Sequence, residues 1–253
     1  MIKFFRRIRQ KLIHNGNLVR YFIYAIGEII LVVIGILIAL SINNWNENLK
    51  NENQERVYYC KIKEDLESDK ASINTSIQSL EEKITSAKRA LSNLYQGSED
   101  KLTILKDYFP AIRSIDVVPS KSAIQDITSS GKLENLKVSS LKEEILRYYT
   151  EIEYALININ QNEVGSDQYI YAYEDLVDFG LHQINQYKDV FGEDLLDKMP
   201  EVNWHKDPSN TIYRQFQEHM TLSIVVAARE KQLLNQILIS NEKLRSDLAS
   251  YCD

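Results

Sequence analysis

The hydrophobic pattern of the chain changes character several times, and each change predicts an element. From Tyr21 to Ile42 there are 22 residues with a single charge, Glu28. At about 1.5 Å per residue such a helix crosses a hydrocarbon core of roughly 30 Å, so the pattern predicts one transmembrane helix. Beyond it, Leu66, Ile73, Leu80, Ala87 and Leu94 recur every seven residues, joined in the later heptads by Ile77, Ile84 and Leu91. This is a coiled-coil-like seam, with Gly97 as its natural C-terminal stop. No proline lies between residues 21 and 109. The anchor and the seam are therefore expected to form one rod reaching roughly 75 to 80 Å beyond the membrane, "INNWN" being the candidate break.

Residues 98 to 138 read as short pieces: "DKLTILKDYF" before Pro110, a linker through Pro119, and a helix in "SAIQDITSSGKLENL". They are expected to cap the far end of the rod. Ser140 with Glu143 resembles a capping box opening a helix whose face carries Leu141, Ile145, Tyr148, Ile152, Leu156 and Ile159. A kink is expected near Gly165, after which Ile170, Tyr173, Val177, Leu181 and Ile184 keep the phase. Residues 191 to 210 read as a loop with short helical content. Ser209 or Asn210 then caps a third long helix to about Ala249, with Phe216, Met220, Ile224, Ala228, Leu234, Ile237, Leu238, Leu244 and Leu248 inward. "LSIVVAA" is too short to be a second span. The fold class is all-α: a transmembrane helix, then an elongated antiparallel bundle of three long helices with short cap helices, completed by a second copy or standing alone. The domains are a basic segment 1–20, the span 21–42 and an exported helical domain 43–253.

Charge sets the orientation. Six of the 30 basic residues lie in the first twenty positions with no acid, leaving 24 against all 36 acidic residues beyond. By the positive-inside rule the N-terminus is cytoplasmic and everything after Trp45, a candidate interface anchor, lies outside, in a bacterial periplasm. The acidic bulk argues against nucleic acid as a partner. The spacing of Met1, Phe5, Ile8 and Leu12 among cations also fits an amphipathic helix on the inner leaflet, as well as a plain topology signal. "ALS" at 39 to 41 offers a cleavage site, but signal cores run to about 15 residues, so an uncleaved anchor is read.

"MIKFFRRIRQKL" followed by "YAIGEIILVVIGILIALSINNWNE" resembles a family of bacterial single-pass membrane proteins known as a domain of unknown function. The similarity is specific over residues 1 to 48 and looser at "SSGKLENLK" and Tyr148–Tyr149. It implies a membrane anchor and an extracytoplasmic helical region, and it transfers no activity to any residue.

Glu28 is the sharpest candidate. It shares a face with Gly35 and Ala39, a small-xxx-small spacing flanked by Gly27, so that face could pack on a second copy or another membrane protein and satisfy the carboxyl. Alternatively Glu28 carries protons, as in stator-type subunits, which share this layout. Arg214 and His219 match the R-x4-H spacing of some helical ribonucleases, a chance-prone match. Cys60 and Cys252 would stand at opposite ends of an up-down-up bundle, out of disulfide reach. His14, His182, His205 and His219 are scattered, and no CxxC, HExxH or phosphate loop occurs, so no metal, cofactor or enzymatic activity is expected. Tyr148, Tyr149, Tyr154, Tyr169, Tyr171 and Tyr173 serve core packing or line a partner groove. The function expected is that of a self-associating scaffold or interaction protein, its partners the bilayer, itself and a periplasmic protein. The alternatives are an accessory subunit of a proton-driven or transport complex using Glu28, and a ligand sensor signalling through a partner.

Overall fold

The computed structural model describes residues 18–172 and 175–252, and among them all regular structure is helical, with no strand. The basic segment, apart from its last three positions, lies outside the described residues, as does Tyr173. The chain divides into two units, one ending at Arg56 and the other spanning Val57–Asp253.

Helix α1 runs from Leu18 to Tyr95, and Asn43 to Asn46 are helical within it. In the first unit it carries one stretch long and apolar enough to cross a membrane. The described Phe, Val, Leu and Ile side chains from Val19 to Ile42 are all between 46 and 73% exposed. At the other end of α1, Ser98 N–H donates to Asn93 O and Gly97 N–H to Leu94 O, with Gly97 at φ +65°. This closes the helix as a Schellman motif at the glycine that the pattern marks as a stop.

The second unit is built on residues 57–95 of α1. Short helices α2 (Lys101–Leu105) and α3 (Tyr108–Ile112) follow, then an extended segment, then α4 (Ser122–Ser129) and a 3-10 turn at Lys132–Asn135. Helix α5 spans Ser139–Tyr171, and α6 (Leu176–Phe179), a 3-10 turn at Leu181–Gln183, α7 (Asn185–Phe191) and α8 (Glu193–Leu196) lead to α9, Thr211–Ala249. Helix α9 starts where the sequence places it: the Asn210 side chain accepts from Ile212 N–H.

The order of contacts along α1 corrects the expected arrangement. Ser76 Oγ donates to Asp116 O, Ser120 N–H to Asp69, and Ser122 Oγ and Ala123 N–H to Asp65, while Lys61 reaches Asp126. Residues 113–126 therefore do not cap the far end; they travel back along α1 toward its start. Helix α5 begins there and runs parallel to α1, pairing Tyr148 with Asp69 and Glu163 with Lys83. Helix α9 runs antiparallel, from Gln217 beside Tyr95 through Lys231 beside Glu81 to Arg245 beside Glu67. The last turn thus ends at the first, and Cys60 and Cys252 form a disulfide with Cα atoms 5.4 Å apart, overturning the up-down-up order.

Burial on α1 falls at Ile62, Leu66, Asp69, Ile73, Ser76, Leu80, Lys83, Ala87, Ala90 and Leu94, alternating steps of four and three. Helix α9 repeats the rule through Phe216, Met220, Ser223, Ala227, Glu230, Leu234, Ile237, Asn241, Leu244 and Leu248. The expected inward Ala228 is exposed, because an apolar-only stripe steps over Ser223 and Glu230 and drifts by one residue. Helix α5 buries Leu141, Ile145, Tyr148, Ile152 and Ile159 as expected, Leu156 only in part, and continues helical past Gly165. The phase does not carry on to Ile184: α5 ends at Tyr171, and Val177 is exposed on the short α6.

Gly180, at φ +91°, ends α6 against the Lys101 side chain, and a Cβ there would come within 2.8 Å of Lys101 Nζ. That ammonium donates to Val202 O and ties the 191–210 loop to α2. Gly180→Ala is expected to destabilise the protein by about 2 kcal/mol, through left-handed strain and loss of that bond. Chemical denaturation checks it, and an unchanged midpoint would show that the loop is not held this way.

Candidate functional site

Of the residues singled out in and beside the apolar span, Gly35, Ala39 and Trp45 lie on an uncovered helix surface within their own chain. Gly35 and Ala39 are exposed, no atom lies within 4 Å of a Cβ built on Gly27 or Gly35, and Trp45 is 66% exposed. Glu28 is half-buried. Trp45, Ser41 and Ile42 share an apolar surface with Ile34, Leu37 and Ile38.

The second unit holds a different constellation. Its apolar interior consists of two clusters, one from Tyr58 and Leu248 up to Leu80 and Ala227, the other from Ala87 and Met220 up to Leu94 and Trp204. Between them lies a layer of buried ionisable groups contributed by all three long helices. Lys83 of α1 donates to Glu163 of α5 at 3.1 Å, the two side chains being 2% and 9% exposed. Glu230 of α9 is fully buried, and neither of its oxygens has a hydrogen-bond partner, nor has Oε2 of Glu163. Two carboxylates thus face one ammonium away from water. Burial, reinforced by the charge of Glu163 and opposed by Lys83 and the Asn162 amide, pushes the Glu230 carboxyl up to about 7. His219, also buried, is pushed down to about 4 by desolvation and by Lys83.

A second polar node stands nearer the disulfide. Asp69 accepts from Ser120 N–H at 2.6 Å and from Tyr148 OH at 2.7 Å, and Asn241 donates to Tyr148 OH and to Leu66 O. Desolvation raises the Asp69 carboxyl above its usual range despite these bonds. The node joins α1, the returning segment, α5 and α9, which is a structural task. At the opposite end of the unit a cleft of about 590 Å³ opens beside Lys106, Phe109 and Arg113.

The other candidates are not assembled into sites. His219 packs against the Tyr108 and Tyr169 rings while Arg214 is exposed, and five positions on one helix set them roughly 140° apart. His182 and His205 are buried separately and His14 lies outside the described residues. Among the described residues no three His, Cys, Asp or Glu side chains are placed to hold a metal ion. Tyr148 and Tyr149 are core residues, Tyr169 donates to Glu218, and Tyr154 is 64% exposed. Lys83, Glu163 and Glu230 escaped the sequence reading because charged side chains at periodic positions look like a solvated face. Their one signal is the heptad register, in which Lys83 and Glu230 occupy positions that Leu80, Ala87, Ala227 and Leu234 show to be inward.

Comparison with known proteins places this architecture in a group. A model of a family of unknown function, DUF6090, matches residues 28–174, more than half of the 253, from Glu28 in the apolar span to just past the end of α5. No curated protein and no solved structure matches the chain. The extent of that match makes the chain a member of the DUF6090 family of unknown function.

Proposed function

We propose that the chain is a membrane-anchored helical scaffold or interaction protein, self-associating through the Glu28, Gly35 and Ala39 face of its span. Residues 21–42 hold it in a bacterial inner membrane, the N-terminus is cytoplasmic, and the second unit stands in the periplasm, available to a protein partner. One observation carries the reading. The described Phe, Val, Leu and Ile side chains between Val19 and Ile42 are 46 to 73% exposed, whereas the second unit buries an interior of its own. Exposed apolar surface on that scale belongs against lipid or another helix. The Cys60–Cys252 disulfide supports export, since such bonds persist in oxidising compartments. Trp45 fits the outer interface.

The experiment is energy transfer between donor- and acceptor-labelled full-length chains in lipid bilayers. Gly35→Ile with Ala39→Ile is expected to weaken association roughly tenfold, equivalent to about 1.4 kcal/mol, by forcing the two backbones apart. Association that is absent in the native chain, or undiminished in the variant, would dismiss self-assembly through this face.

A further inference from the structure

We propose that the Lys83–Glu163–Glu230 layer is a proton-binding site, so that the pH around the second unit sets the tightness of the joint between the two apolar clusters. The geometry leads to this ligand. Three helices contribute one ammonium and two carboxylates to a sealed layer, and Glu230 is fully buried with both oxygens unpartnered. With both acids ionised the layer holds one net negative charge away from water, an expensive state that Lys83 and the Asn162 amide relieve only in part. A divalent cation would reverse the imbalance to one net positive charge and repel Lys83. A proton balances it, and turns one carboxyl into a donor for its neighbour.

The groups facing the proton are Lys83 from α1 and Glu163 and Asn162 from α5, with His219 of α9 acting on Lys83 from further along its helix. His219 stays neutral until about pH 4, and the Glu230 carboxyl is pushed up to about 7. Its ordinary value is 4.5. Below that pH the folded and unfolded chains both carry the proton; between there and 7 only the folded chain does, so stability falls as pH rises through this window. Above it the loss is complete, and the charged layer draws water in between the clusters.

The test is denaturation of the full-length chain in detergent micelles at pH 5.5 and pH 8, comparing the native protein with Glu230→Gln. Native protein should lose roughly 30-fold more in its folding equilibrium constant across this interval than the variant, which cannot titrate at this position while His219 contributes equally to both. Equal losses overturn the proposal. Infrared titration reads the same proton without unfolding: the native chain should show a protonated carboxyl band at pH 5.5 that fades by pH 8. Glu163→Gln leaves one carboxylate facing Lys83, so the neutral-range band should vanish in that variant. A native spectrum with no carboxyl titrating near neutrality, or a band that persists unchanged in Glu163→Gln, overturns the proposal even if Glu230→Gln does not fold.

Discussion

Cys252→Ser is expected to lower the unfolding free energy of the full-length chain by about 5 kcal/mol, because the bridge it removes spans 192 positions of sequence. Closing so long a loop restricts the unfolded ensemble far more than the folded one, which already holds Cys60 and Cys252 in place. Around the bridge, the Tyr59 and Tyr251 rings lie 4.9 Å apart and Leu248 is fully buried, so the ends of α1's packed region and of α9 meet without the sulfurs. The variant should therefore fold, at lower stability. The measurement is a denaturant titration read by the fluorescence of Trp204, which is buried against Phe179 and Phe216. Native protein treated with a dithiol reductant should reproduce the variant's curve. Coincident curves for the oxidised native chain and Cys252→Ser would mean that the bridge does not form in the mature protein.

Lys83→Ala is expected to lose about 3 to 5 kcal/mol at neutral pH, far more than removal of a surface cation. It strands Glu163, whose Oε1 loses its donor, and leaves Glu230 with no positive neighbour in the layer. By contrast, Lys231 and Lys243, each paired with a glutamate at the surface, should change stability by under about 1 kcal/mol when truncated. Replacing the whole layer by Lys83→Met, Glu163→Leu and Glu230→Leu should restore native stability or exceed it by about 1 to 4 kcal/mol, since no charge is then buried. Unfolding free energies of the single and triple variants decide this. A triple variant as unstable as Lys83→Ala would show that the interior at this level depends on the polar side chains for more than charge balance.

Much of the fold was open to reading from local pattern. The apolar stretch near the start, the Gly97 stop and the Asn210 cap each rest on a signal confined to a few neighbouring residues: apolar length, a left-handed glycine, a side-chain acceptor. The inward positions of α1 were likewise visible wherever they are apolar, at Leu66, Ile73, Leu80, Ala87 and Leu94. Asp69, Ser76 and Lys83, at alternating heptad steps between them, were not. A polar side chain announces burial only when its partner is known, and the partners lie tens of positions away, at Tyr148, Asp116 and Glu163.

The path of the chain was lost for a related reason. Two long helices joined by forty residues look like neighbours connected at one end, and no local signal reports that residues 113–123 return along α1, fastened by Ser76, Asp69 and Asp65. Once that return is made, α5 must start beside Lys61, α9 must descend, and Cys252 arrives at Cys60. What the sequence alone determined is everything set by periodicity and solvation within one segment: an all-helical chain with one apolar span near its start, and where its long helices lie. Tertiary structure decided the rest, namely helix direction, the disulfide and the buried Lys83–Glu163–Glu230 layer. Those depend on the energy of pairing groups distant in sequence, which no stretch of the chain carries by itself.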